Sequence, residues 1–151
     1  MYALSDFQVY ISAYFERNRD EYYEKLLSVS RDNDWTGWCE FFLRAILKQA
    51  ESNQSKAAEI LNLYENKKKE IAELTRSQYA IHALDFIFTR PIFNATSFTG
   101  MEAIPTPTAK RIISVLRESN ILTTLREPSG RKAAIYAFSE LMNITEGATI
   151  F

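Results

Sequence analysis

The chain has 151 residues, 46% apolar and 25% charged, with four glycines and four prolines. That balance excludes a disordered or low-complexity chain and leads us to expect long regular segments. Its single cysteine, Cys39, excludes an internal disulfide and a multi-cysteine zinc site. It also points to a reducing, cytoplasmic setting. No apolar run approaches the roughly 18 residues of a membrane span, and the first residues lack a charged-then-apolar targeting pattern, so neither is expected.

In chain order, residues 6–30 read as helical: Tyr10, Tyr14, Tyr22, Leu26 and Val29 recur near the 3.6-residue period, and Asn18 or Asp20 is placed to cap a second segment. "RDNDWTGW" is a polar break with the turn formers Asn33, Asp34 and Gly37. "WCEFFLRAILKQAESN" sets Trp38, Phe41, Phe42, Ala45 and Ile46 on one side of a helix, and Cys39 is expected in that core. "QSKAAEILNLYENKKKEIAELT" spaces Ala57, Leu61, Tyr64, Lys68 and Ile71 at three- and four-residue steps, which suits the second arm of a helix hairpin. Its Lys67-Lys68-Lys69 run is expected to be a solvated face.

"SQYAIHALDFIFTRP" is an amphipathic helix stopped by Pro91, and its His82 is expected as a satisfied core residue. "NATSFTGMEA" is a short helix capped by Asn94. Next, Thr106 can cap, Pro107 suits the first helical position, and Ala109, Ile112, Ile113 and Leu116 form an apolar stripe. "ILTTLRE" and "RKAAIYAF", separated by "PSG", read as a hairpin, and "SELMNITEGATIF" as one last turn. The expected fold is mainly α: a helical bundle segment over 1–74, then a winged helix-turn-helix with a two-stranded wing over 75–151.

Charge is unevenly spread. Residues 1–65 hold 7 Lys/Arg against 11 Asp/Glu, a balance of −4, whereas residues 105–140 hold 6 against 3, a balance of +3. Reactive groups do not converge. There is no Gly-rich phosphate loop, no H-E-x-x-H and no Cys/His ligand set. The acidic residues Asp20–Glu21 and Asp32–Asp34 fall in caps and turns. This chain alone is therefore not expected to be an enzyme, to bind a metal or to carry a cofactor.

Two stretches carry a resemblance. "YISAYFERNRDEYYEKLLSVSRDNDWTGWCEFFL", with Tyr22-Tyr23 and the run Asp34-Trp35-Thr36-Gly37-Trp38, resembles the segment that follows the active site in bacterial Fic-family proteins, which transfer AMP to target hydroxyls. "ELTRSQYAIHALDFIFTRPIF" and "IPTPTAKRIISVLRESNIL", with Pro107-Thr108-Ala109-Lys110-Arg111, resemble the winged-helix module at the C-terminus of many of them. Together they cover roughly residues 9–147. The family's catalytic motif, H-P-F-x-D-G-N-G-R, is not in this sequence, so the resemblance implies the part downstream of the active site. ATP and Mg would then belong only to the catalytic part. Glu146-Gly147 matches the end of the family's inhibitory helix, but Met142 stands where that helix has Ser or Thr, so the role is not carried over. Ala103 stands where the turn of such modules commonly has Gly, which calls for another turn shape.

The resemblance implies a non-catalytic interaction, scaffolding and oligomerisation module, with self-association or the upstream Fic core as partner and no membrane. Tyr10, Tyr14, Trp35, Trp38 and Phe42 would supply apolar surface for that role. A DNA-binding winged helix is the alternative, with double-stranded DNA met by Thr106, Thr108, Lys110, Arg111, Ser114 and Arg117 on the helix and by Arg126, Arg131 and Lys132 on the wing. A free-standing transcriptional regulator with a helical dimerisation arm is a third reading. The "DWTGW" run argues against it.

Overall fold

The computed structural model describes residues 11–147. Tyr10 and the rest of 6–10, read as helical above, and the last four residues lie outside the described ones. Seven helices and three short strands follow in the order α1 (Ile11–Arg17), α2 (Arg19–Asp32), α3 (Trp35–Thr75), α4 (Ala80–Thr89), β1 (Ile92–Asn94), α5 (Ala95–Thr99), α6 (Thr106–Glu118), β2 (Thr123–Arg126), β3 (Ile135–Ala137) and α7 (Ser139–Glu146). The described chain is thus mainly helical with one small antiparallel sheet. No helix among the described residues is long and apolar enough to cross a membrane. The chain divides into two compact units, Met1–Ala57 and Ala58–Phe151.

In the first unit, the joint between α1 and α2 falls at Asn18. Its side chain does not cap α2; the amide donates backward to the Tyr14 carbonyl at 2.8 Å. α2 closes on Asn33, whose left-handed backbone (φ 57°) suits an Asn at a helix C-terminus. Asp34 then caps α3, its Oδ1 accepting from the Gly37 N–H at 2.9 Å. A Cβ at Gly37 would press on the Asp34 carboxylate, so a larger residue there would displace the cap. Phe15 gathers an aromatic cluster, with ring centroids 5.0 Å from Tyr22 and 5.6 Å from Phe41. Arg44 on α3 reaches Glu21 on α2 at 3.1 Å. Phe41 and Ala45, four residues apart, are the buried pair of this stretch of α3. Cys39 lies about 200° around the helix from Phe41 and is exposed, which corrects the expectation that it is core.

α3 is one helix of 41 residues, not the two arms of a hairpin. From Trp38 to Thr75 it contains no Gly or Pro, and "ESNQS" does not break it: Gln49 Nε2 donates to Asn53 Oδ1 at 3.0 Å along the helix face.

The second unit packs the last turns of α3, α4 to α7 and the sheet around one core that includes Ile71, Leu84, Ile87, Phe98, Leu116 and Phe138. The expected stripe of α6, Ala109, Ile112, Ile113 and Leu116, is buried in it. Asn94 caps α5, accepting from the Ser97 N–H at 2.8 Å, as the sequence suggests. The hairpin is present as β2 and β3, but the sheet has three strands in the order β1-β3-β2, all antiparallel. β1 aligns Ile92 with Ala137, and β2 aligns Thr123 with the same Ala137. A strand of three residues is too short to display a period, and this one forms because β3 offers a free edge beside it. His82 is exposed, correcting the expectation of a core histidine; Ala80, Ala83, Leu84 and Ile87 are what α4 buries. Lys67 also departs from the expected solvated face. It is 8% exposed, and its ammonium meets Glu70 at 2.8 Å and Glu140 at 2.6 Å. Burial works against its charge, but the hydrogen bonds to Glu140 and Glu70 outweigh burial and raise its pKa. α7 runs for eight residues rather than one turn.

Candidate functional site

The basic residues singled out in the sequence lie on α6 and on the loop between β2 and β3. α6 begins one residue earlier than expected: Pro105 holds the cap position (φ −56°, ψ 134°) and accepts from the Ala109 N–H at 2.9 Å. Thr106 is therefore inside the helix. Its hydroxyl donates to the Thr99 carbonyl at 3.2 Å, tying α6 to the end of α5. The turn between these helices is closed by Ile104, whose N–H donates to Met101 and whose side chain is buried. Ala103 is not left-handed; among the described residues the non-glycines with positive φ are Asn33, Arg76 and Asn120. The departure at Ala103 thus goes with a turn of negative φ, free of the strain that a left-handed alanine would carry.

The polar positions of α6 divide between two flanks. Lys110, Ser114 and Arg117 recur at i, i+4 and i+7, share one flank and are all exposed. Arg111 and the half-buried Thr108 lie on the other. The Arg111 guanidinium donates to the Thr75 carbonyl at 3.0 Å, across 36 residues of sequence. It thus satisfies a carbonyl at the C-terminus of α3, where the helix dipole favours a cation. The next residue, Arg76, turns the chain with φ 45°. Arg111 is a clamp between α6 and α3 before it is anything else.

Arg117 lies over the buried Tyr136 ring of β3, 5.5 Å from its centroid. It lines a cleft of about 380 Å³ with Ser114, Glu118, Asn120, Leu122, Thr123 and Thr124. Glu118 is the one carboxylate among those lining residues. The loop after β2 is built by its own backbone: Ser129 and Lys132 exchange N–H to carbonyl bonds at 3.1 and 2.9 Å around Gly130, whose φ is 55°. Arg126 donates to the Ala133 carbonyl at 2.9 Å and fixes the base of this loop. Arg131 and Lys132 remain exposed at its tip. The nine sequence candidates therefore separate into an outward group of Lys110, Ser114, Arg117, Arg131 and Lys132, a structural pair in Arg111 and Arg126, and two threonines at the start of α6.

Sequence reasoning missed Asn120, Thr123, Thr124 and Tyr136. Tyr136 lies in the run read as a strand; the other three become neighbours of α6 only once the chain turns at Asn120 (φ 57°). A second cleft, of about 490 Å³, is lined by His82, Asp85, Phe86, Arg90, Ser97 and Met101 among others. Asp85 there accepts from the Tyr64 hydroxyl at 2.7 Å. That bond, with partial burial, pushes the Tyr64 pKa up to about 12. Among the described residues, no three His, Cys, Asp or Glu side chains converge as a metal site would require.

The first unit contributes a different kind of surface. Tyr23 and Leu27 on α2, and Trp35, Leu43 and Leu47 on α3, are each more than half exposed. They lie on two consecutive helices of one unit, and a grouped apolar surface is where a partner would bind.

No family model matches the chain, and no curated protein matches it.

Proposed function

We propose that the chain is a non-catalytic interaction module that associates with itself or with helices of a larger protein. The observation that carries this reading is the run of half-exposed apolar side chains, Tyr23, Leu27, Trp35, Leu43 and Leu47, on α2 and the first turns of α3. Leaving them in water forgoes about 25 cal/mol for each Å² that a partner would cover. The second unit is then a winged helix-turn-helix: α4, α5 and α6 followed by the β2–β3 wing, with β1 completing the sheet, is the element order of that fold. The sequence resemblance supports an origin in the C-terminal part of a Fic-family AMP-transferring protein, where such a module would brace the catalytic helices or hold two copies together. In that setting ATP and Mg belong to the catalytic part. Sedimentation of the chain at micromolar concentration tests the reading: it predicts a dimer, and a monomer throughout would refute self-association.

A second reading, contact with double-stranded DNA, is favoured by one observation: Lys110, Ser114 and Arg117 form a continuous exposed flank of α6 in the unit that also carries the exposed Arg131 and Lys132. Anisotropy of a labelled mixed-sequence duplex at low and moderate salt tests it. Binding that weakens steeply with salt and is reduced by Lys110→Ala supports it. No binding at low salt refutes it.

A further inference from the structure

The cleft of about 490 Å³ in the second unit is lined by one flank of α4 and by the end of α5. α4 buries Ala80, Ala83, Leu84 and Ile87, which leaves His82, Asp85 and Phe86 on the flank that lines the cleft. Phe86 is its fixed apolar part: the ring meets Phe93 and Phe98 edge-on, with centroids 5.2 and 5.1 Å away. The Arg90 guanidinium lies over the same ring, 5.7 Å from its centroid. Met101, just past α5, adds a second half-buried apolar side chain.

Two opposite charges line this cleft without pairing. Asp85 and Arg90 are both exposed, yet neither forms an ion pair among the described residues. Asp85 accepts from the Tyr64 hydroxyl through Oδ1, which leaves its other oxygen open. The Arg90 guanidinium carries five N–H donors and has no hydrogen-bond acceptor among the described residues. Five positions separate the two residues, about 7.5 Å of helix rise. We propose that the cleft binds a free α-amino acid with an apolar side chain. The ammonium meets the Asp85 carboxylate, the carboxylate meets the Arg90 guanidinium, and the side chain lies against Phe86 and Met101.

The two charges select this class. A simple anion would be set beside the Asp85 carboxylate, and a simple cation beside Arg90. An uncharged apolar molecule would take both charges out of water unpaired. A zwitterion answers both, and the planar fork of a guanidinium matches a carboxylate.

Titration calorimetry of the whole chain with L-phenylalanine tests the site, with amide chemical shifts as the second readout. Saturable binding is expected, with shifts at residues 85–90 and at Gly100 and Met101. N-acetyl-L-phenylalanine lacks the ammonium and phenethylamine lacks the carboxylate, so each is expected to bind at least about tenfold more weakly. Asp85→Asn keeps an acceptor for Tyr64, and Arg90→Gln alters an exposed side chain, so both fold, which circular dichroism checks. Each is expected to weaken L-phenylalanine by at least about tenfold, whereas Arg117→Gln, the same charge change in the other cleft, leaves it unchanged. Absence of binding at about 10 mM L-phenylalanine overturns the proposal. So do shifts confined to other residues, analogues that bind as well as the amino acid, or undiminished binding in both variants.

Discussion

Removing the buried ammonium of Lys67 tests the electrostatic clamp that holds α7 to α3. The side chain is 10% exposed, while its partners Glu70 and Glu140 are 43% and 49% exposed. An exposed pair contributes about 0.2–1 kcal/mol, whereas breaking a fully buried pair costs about 3–5 kcal/mol, because a charge is stranded. In this clamp the stranded charges would be carboxylates with almost half their surface in water, so they re-solvate and the cost falls between those limits. Lys67→Met keeps the apolar stem and removes the charge, and its expected cost is about 1.5–2.5 kcal/mol. In a double-mutant cycle with Glu140→Gln, read by urea unfolding, the coupling is expected near 1 kcal/mol. The raised pKa of Lys67 adds a pH signature: its contribution is complete below the ordinary lysine range and is lost as pH rises through the folded value. A coupling below about 0.3 kcal/mol would refute the clamp, since the two charges would then not sense each other in solution.

Tyr64 offers a second titration. Its pKa is raised from 10.0 to about 12 by the hydrogen bond to Asp85, so the folded state holds the proton longer than the unfolded one. Its stabilising effect is complete below pH 10 and declines as pH climbs toward 12. The melting-temperature gap between the unaltered chain and Tyr64→Phe should therefore shrink over that interval, and a constant gap would contradict the bond. Leu116→Ala, at a fully buried position of α6, should cost about 2–5 kcal/mol in chemical unfolding. A cost below about 1 kcal/mol would mean that α6 is not docked as described. Arg111→Ala should cost about 1 kcal/mol through loss of its bond to the Thr75 carbonyl, whereas Lys110→Ala should stay within about 0.5 kcal/mol. Equal stabilities for the two variants would show that Arg111 does not clamp α3.

Short-range terms account for what was legible in the sequence. The apolar stripe of α6, the Asn94 cap on α5, the stop at Pro91 and the strands on either side of "PSG" each depend on residues within a turn or two of one another. What stayed hidden depended on neighbours distant in sequence. The hairpin expected of α3 is the exception, a local misjudgement: the polar residues between its two arms do not end a helix that lacks Gly or Pro. Cys39 and His82 each sit on a helix with more than one plausible apolar face, and only the packed partners decided which face went inside. β1 exists because β3 lies beside it. Lys67 became a buried cation because Glu140, 73 positions later, comes within hydrogen-bond distance, and Arg111 became a clamp because the end of α3 lies beside α6. By itself the sequence determined most of the caps, stops and apolar stripes, because those free energies are local. The tertiary structure decided which charges are bound and which remain outward, because burial and ion pairing depend on groups that only folding brings together.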